Sequence, residues 1–420
     1  MNNLVLRANK FTGTKTFFLS VFAVSVLVMF QRRPYVLAYA NFWAEDGRIF
    51  FPQMYHDGIK SLLYPYAGYL HLVPRLVMLL TLPFGVINAP FISNLMSLVL
   101  RALPMLFLFS ERFSFMGIAC RFFLWVYCLI MPNALETIGN ITNIQWSLSI
   151  WLLMVMIADP PKTLAQKFHD WLVLIFAGLS GPFIIFIVPV IIVREASKGK
   201  SIAFRIFAVL MAAIQLYTVL NTAQEVHSIS LPNTVSDVWE FSIWLMRVFC
   251  TRVVYGAFLP IPRVAAYVLN KSVILSVVVF IACILTIVSG FTKGTWRFRV
   301  CSLFGAAVFL ASLCKEWLLL LVIGGGSRYF VLCEILVFSF VIFFVRNLWL
   351  SNNEQVMKKC CIYISALLFI MALLSFSLFH PLKHLEYRQS IREMFYPAKS
   401  GSSVVIPINP DGWYMTLIKK

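Results

Sequence analysis

Two adjacent carboxylates, Glu45 and Asp46, stand in the stretch Asn41–Arg75, NFWAEDGRIFFPQMYHDGIKSLLYPYAGYLHLVPR, with two histidines and two tyrosine-rich turns between apolar runs. Only 12% of the chain is charged, so an acid pair beside Gly47 and behind Trp43 is not what composition supplies. A positioned carboxylate can take a proton from a hydroxyl. The same pair also suits the first turn of a helix, where the macrodipole favours Glu and Asp. His71 and Arg75 follow at a spacing of four, hence on one face of a helix, just after Tyr69.

Other polar motifs fit a sugar and a phosphate. The run ETIGNITNIQW gathers Glu136, Asn140, Asn143, Gln145 and Trp146. Amides supply both donors and acceptors to hydroxyls, and an indole stacks on a C–H face; an interfacial loop with a tryptophan anchor has the same composition. Arg328 and Tyr329 follow Gly324-Gly-Gly-Ser, and Arg247 and Arg252 lie with Trp239 and Trp244 in 232–263, which reads as an amphipathic helix on the outer leaflet. Arginine's fork of donors matches a phosphate, while an arginine near an interface can also simply snorkel. The glycine triplet is not a P-loop, having no GxxxxGK[ST] pattern. The basic, aromatic tail after 379 carries Trp413 and suggests a short strand over Ser403–Ile408; its polarity suits a lid or acceptor-binding element, and equally an unremarkable tail.

These residues must be positioned by an oily chain. Of 420 residues 60% are hydrophobic and 39 are Phe, with mean hydropathy +0.85. That excludes a soluble globular domain and indicates a polytopic all-α membrane protein. The net charge of +18 is dispersed through short loops, which sets topology and argues against nucleic acid. The run Phe17–Phe30 lacks a small-residue cleavage site and reads as a retained first helix. The nine cysteines sit mostly in apolar runs without metal or disulfide spacing, so no metal is expected. The sequons at Asn140 and Asn270 are treated as chance.

Placing Lys/Arg-rich loops inside puts 110–121, 159–169, 194–205, 291–299 and 346–359 in the cytoplasm. It puts the first loop (35–90), 132–146, the Ser180-Gly-Pro-Phe turn, 221–271, 314–329 and the tail outside. Residues 70–87, interrupted by His71, Pro74, Arg75 and Pro83, read as re-entrant or in-plane, with the second helix over 91–109. About 11 transmembrane helices result, in a membrane domain spanning 1–379 followed by a periplasmic tail over 380–420.

The motifs WAEDG, PYAGYLHLVPR, GNITNIQW, GLSGPF, SRYF and INPDGW together resemble the membrane glycosyltransferases of the GT-C superfamily. From about residue 41 onward the chain is most similar to the serotype-converting O-antigen glucosyltransferases of phage-derived gene clusters in Gram-negative bacteria. The resemblance implies a GT-C-like bundle in the bacterial inner membrane, and transfer from a polyprenyl-phosphate sugar, such as undecaprenyl-phosphate glucose, to lipid-linked O-antigen at the periplasmic face. No cofactor beyond the lipid-linked donor is implied. It also implies an acid in the first outer loop as catalytic base. Several members carry Asp-Glu with the first acid catalytic, whereas this chain reads Glu-Asp, and Glu45 is preferred as base with Asp46 orienting it or the acceptor. Arg75, Arg328, Arg247 and Arg252 are the candidate partners of the donor phosphate. Tyr69, His71, Glu136, Asn140, Asn143, Gln145, Trp146, Tyr329 and Trp413 are the candidates for sugar or acceptor. A flippase of lipid-linked sugar and an O-antigen polymerase are the alternatives.

Overall fold

The computed structural model describes residues 14–193, 198–221, 238–260, 273–321, 326–350, 354–377 and 386–420. Gly324, the Asn270 sequon and 222–237, all drawn on above, lie outside them. Every apolar run expected to cross is helical, as a chain without water partners must be to satisfy its backbone. The early helices are α1 (Lys15–Arg32), α2 (Phe51–Asp57), α3 (Leu72–Thr81), α4 (Gly85–Leu108), α5 (Ile118–Ile130) and α6 (Ile144–Ile157). There follow α7 (Leu164–Gly178), α8 (Ile184–Ile192), α9 (Ile202–Asn221), α10 (Val238–Val248), α11 (Val273–Lys293), α12 (Trp296–Leu321), α13 (Val331–Leu350) and α14 (Glu354–Ser377). Among the described residues, four segments are long and apolar enough to cross a membrane: Lys15–Arg32, Leu72–Leu108, Ile202–Asn221 and Trp296–Leu313.

Residues 70–87 form α3, a tight turn at Leu82–Phe84 and the start of α4. At ten residues, α3 is about 15 Å long, half of a roughly 30 Å hydrocarbon core. The second helix begins at Gly85, earlier than 91, because Pro90 is accommodated inside it. Proline has no N–H to give the carbonyl four residues back. The Tyr387 hydroxyl donates to that carbonyl, Val86 O, at 2.9 Å.

The loops sort to two ends of the bundle. At one end Arg112 makes a bidentate pair with Asp170 (2.6 and 3.0 Å), to which Lys200 and His169 also turn. There Arg297 pairs with Asp159 at 2.6 Å and Arg346 donates to Phe115 O at 3.0 Å. These residues come from the basic loops. At the other end meet the first loop, 132–146, the turn after α7, Ser327–Tyr329 and the tail.

The tail packs onto the first loop. Strand β1 (Ser403–Ile408) forms where expected and pairs antiparallel with β2 (Trp413–Ile418), which the sequence reading did not include. Alternation buries Val404, Ile406, Ile408, Met415 and Leu417 on one face. Asn409 N–H donates to Phe42 O at 3.0 Å and Asn409 O accepts from Ala44 N–H at 2.5 Å. Ile418 N–H donates to His56 Nε2 at 3.2 Å. The described part of 232–263 also differs from a helix on the leaflet surface: α10 continues as a wider helical turn over Phe249–Tyr255. Arg252 there is buried, its guanidinium 5.0 Å from the Phe330 ring, because the segment packs against α13 and α11 instead of facing headgroups.

Candidate active site at one end of the bundle

Asp46 is fully buried. Its carboxylate accepts the backbone N–H groups of Ile141 (3.0 Å) and Thr142 (2.8 Å) and the Thr142 hydroxyl. Burial pushes this carboxyl up to about 7 against those three donors, and the charge of Glu45 adds to the rise. Both oxygens are therefore occupied in holding the 138–146 loop to the first loop. Ala44, immediately before the pair, has φ +39°, and Ala67 has φ +50°. A non-glycine residue in this region is strained, typically by ~1–3 kcal/mol, and such strain clusters at functional sites.

Glu45 is half-buried, and among the described residues no hydrogen bond reaches its carboxylate. Tyr66 and Arg328 lie within its electrostatic reach. Burial pushes the Tyr66 phenol up to about 12, helped by Glu45 and Tyr69, so that it keeps its proton as a hydrogen-bond donor. Burial opposes the charge on Arg328, but Tyr329, Glu136 and Glu45 together hold its pKa above the ordinary arginine value. Glu136 receives Arg328 Nη1 at 3.1 Å, Arg328 N–H at 3.0 Å and the Ser327 hydroxyl at 3.1 Å. The remaining fork nitrogen, Nη2, reaches among the described residues only the Tyr329 hydroxyl, at 3.4 Å. Gln145 Nε2 donates to Tyr69 Oη at 3.2 Å, and its Oε1 is buried without a partner among the described residues. Trp146 packs edge-on to Phe183 and Tyr329, its Nε1 also unpartnered. Gly181 lets the turn after α7 press against Gln145: a Cβ there would stand 2.8 Å from Oε1.

Comparison of the chain with family models, with curated proteins and with solved structures returns no match. The chemistry is therefore read from the site itself. A free, half-buried carboxylate, two tyrosines, an orphaned amide oxygen and an anchored arginine can bind a polyol and deprotonate one of its hydroxyls.

The remaining candidates fall in different places. Asn140 and Asn143 build their loop: their side-chain amides donate to Glu136 O at 2.7 and 2.9 Å, and Asn140 Oδ1 accepts Asn143 N–H at 3.1 Å. His71 is buried between Phe50 and Tyr69, with Nε2 3.2 Å from Tyr66 O. Arg75 is wholly buried, with its guanidinium over Phe50 (5.1 Å) and Tyr64 (5.8 Å), and among the described residues none of its three side-chain nitrogens has a hydrogen-bond partner. Arg328, by contrast, is held by Glu136. The Trp413 ring stacks with the Arg48 guanidinium at 5.4 Å, on the tail side of the first loop. Arg247 accepts the Thr251 hydroxyl at its backbone oxygen, and its side chain is half-buried.

Several supporting residues were not singled out from sequence. Arg33 donates to Leu135 O and Ile138 O, and Arg101 to Thr137 O, so both fix the loop that carries Glu136. Glu334 is buried in the first turn of α13, with Asn133 Nδ2 3.4 Å away and the charge of Arg252 facing it. An acid in an apolar run was the available signal for it.

Proposed function

We propose that the chain is a glycosyltransferase of the GT-C type in the bacterial inner membrane. In this reading its bundle of about 11 crossings carries the Glu45 end toward the periplasm. It transfers a hexose, glucose by the resemblance, from a polyprenyl-phosphate donor to lipid-linked O-antigen. The observation that carries this reading is the division of labour in the acid pair. Asp46 has both oxygens bound within the protein, whereas the neighbouring Glu45 carboxylate is half-open and faces Tyr66 and Arg328. A pKa near 7 would suit Asp46 to base catalysis, but a base must reach the proton it removes, and Asp46 is fully buried.

Glu45 takes the proton of an acceptor hydroxyl as that oxygen bonds to the anomeric carbon, with inversion. The bond from that carbon to the lipid-phosphate oxygen breaks, and the phosphate leaves as an anion. Arg328, oriented by Glu136, receives this charge through the weakly engaged Nη2, so no general acid is needed. Gln145, Tyr69 and Trp146 supply the polar and aromatic walls for the sugar. Arg75, buried and unpaired, is a second place for an anionic group, since an uncompensated buried charge is costly.

The test is reconstitution of the purified protein in proteoliposomes with polyprenyl-phosphate [¹⁴C]glucose and lipid-linked O-antigen. Glucose covalently attached to the O-antigen supports the reading. Donor movement across the bilayer without any attached glucose overturns it in favour of a transporter, and lengthened chains without side-chain glucose overturn it in favour of a polymerase.

A further inference from the structure

A cleft runs between α4, α5, α6, α12 and α13 toward the end of the bundle opposite Glu45. Its walls are mostly apolar, formed by residues such as Met105, Leu124, Ile150, Met154, Leu336 and Phe340, with Arg101, which donates to Thr137 O, at the inner end. Along α13 it extends from Ile335 to Arg346, a rise of roughly 17 Å, which matches one leaflet of a roughly 30 Å core. Its mouth has a different chemistry. Arg297, Arg346 and Thr295 line it, and the 26-residue α12 starts there with no acid in its first turn, presenting the positive end of its dipole. Arg346 uses Nε on Phe115 O, and none of its other nitrogens makes a further hydrogen bond among the described residues. Arg297 lies over the Phe115 ring at 3.7 Å and is paired with Asp159, among the described residues the one acid in contact with these groups.

We propose that this cleft binds one anionic phospholipid of the leaflet at that end, with an acyl chain between α5 and α13 and the phosphate at Arg346 and the start of α12. A cleft of this lining open to a bilayer fills with hydrocarbon. The cationic mouth selects a net negative headgroup, for which a guanidinium provides charge-assisted donors. The one-leaflet length favours a phospholipid chain over a long isoprenoid. The inference is independent of the glycosyl-transfer reading, because it is measured as lipid retention without turnover.

The protein is placed in phosphatidylcholine nanodiscs doped with phosphatidylglycerol, released in the gas phase, and its bound lipids are weighed by native mass spectrometry. One retained phosphatidylglycerol is expected, with Arg346→Ala lowering retention roughly tenfold, as loss of one charge-assisted bond does, and Arg346→Lys keeping most of it. Ser339→Trp, which fills the cleft wall and leaves the mouth intact, also lowers retention. Equal retention of phosphatidylglycerol and phosphatidylcholine, undiminished retention by both Arg346→Ala and Ser339→Trp, or displacement of the lipid by added polyprenyl phosphate overturns the proposal.

Discussion

Asp46 and Thr142, 96 residues apart, are joined by two hydrogen bonds into one carboxylate oxygen, from the Thr142 backbone N–H at 2.8 Å and from its hydroxyl. This contact joins the first loop, with Glu45, to the loop that carries Glu136, the partner of Arg328. The two acids of the pair consequently respond differently to substitution.

Glu45→Gln removes the proposed base and, among the described residues, no hydrogen bond of the fold. Its turnover falls by about 10² to 10⁴ with an unchanged Tm. Asp46→Ala leaves two buried N–H groups without acceptors, at about 1–3 kcal/mol each, and lowers Tm as well as activity. Transfer assays and thermal melts on the two variants check this, and full activity of Glu45→Gln contradicts the assignment.

The buried Asp46 carboxyl also sets a pH dependence. Its folded value, about 7, lies above the ordinary 3.8, so between those values the folded protein keeps a proton that the unfolded chain has released. Its contribution therefore makes stability fall as pH rises through that window, by about 1.4 kcal/mol per unit, and level off above it. Asp46→Asn abolishes this component. Melts at pH 4.5 and 7.5 should show a smaller pH difference for the variant than for the native chain.

Arg328→Ala removes the guanidinium proposed to receive the leaving phosphate, while Ser327 and the backbone N–H of residue 328 still hold Glu136. Loss of a charge-assisted contact costs about 1.5–3 kcal/mol, which raises the donor KM about 10- to 150-fold. Titration of the polyprenyl-phosphate donor at saturating acceptor measures it. An unchanged donor KM reduces Arg328 to an interfacial anchor.

The docked tail depends on Gly47. A Cβ at that position would lie 2.7 Å from Phe42 Cβ and 2.9 Å from Ile408 Cδ1. Overpacking of this kind costs about 1–3 kcal/mol, so Gly47→Ala loosens the hairpin from the first loop. Limited trypsin digestion should cut the variant faster at Lys399, and equal cleavage rates refute the tail's dependence on this contact.

Topology has a direct readout. Alkaline phosphatase fused at position 410 should be active and at position 200 inactive, since Lys200 joins the Arg112–Asp170 cluster at the end opposite the tail. The reverse pattern inverts the orientation.

The amino-acid sequence by itself determined the helices and their sorting. Apolar runs admit only helix where water is absent, and the basic loops at 110–121, 159–169 and 291–299 do meet at one end, through Arg112, Asp159 and Arg297. The acid pair, GNITNIQW and SRYF were also legible as one end's equipment, because uncommon polar residues stand out in an apolar chain. Tertiary structure alone decided which acid is occupied, since that depends on Asp46 meeting amide groups about 95 residues away. It likewise decided that Asn140 and Asn143 brace their own loop, that Arg75 is buried over Phe50 and Tyr64 while Arg328 is held by Glu136, and that the tail hairpin closes on Gly47. Local spacing fixes which face a side chain takes on its own helix, but its partners across the bundle are set by long-range packing, which no window of sequence contains.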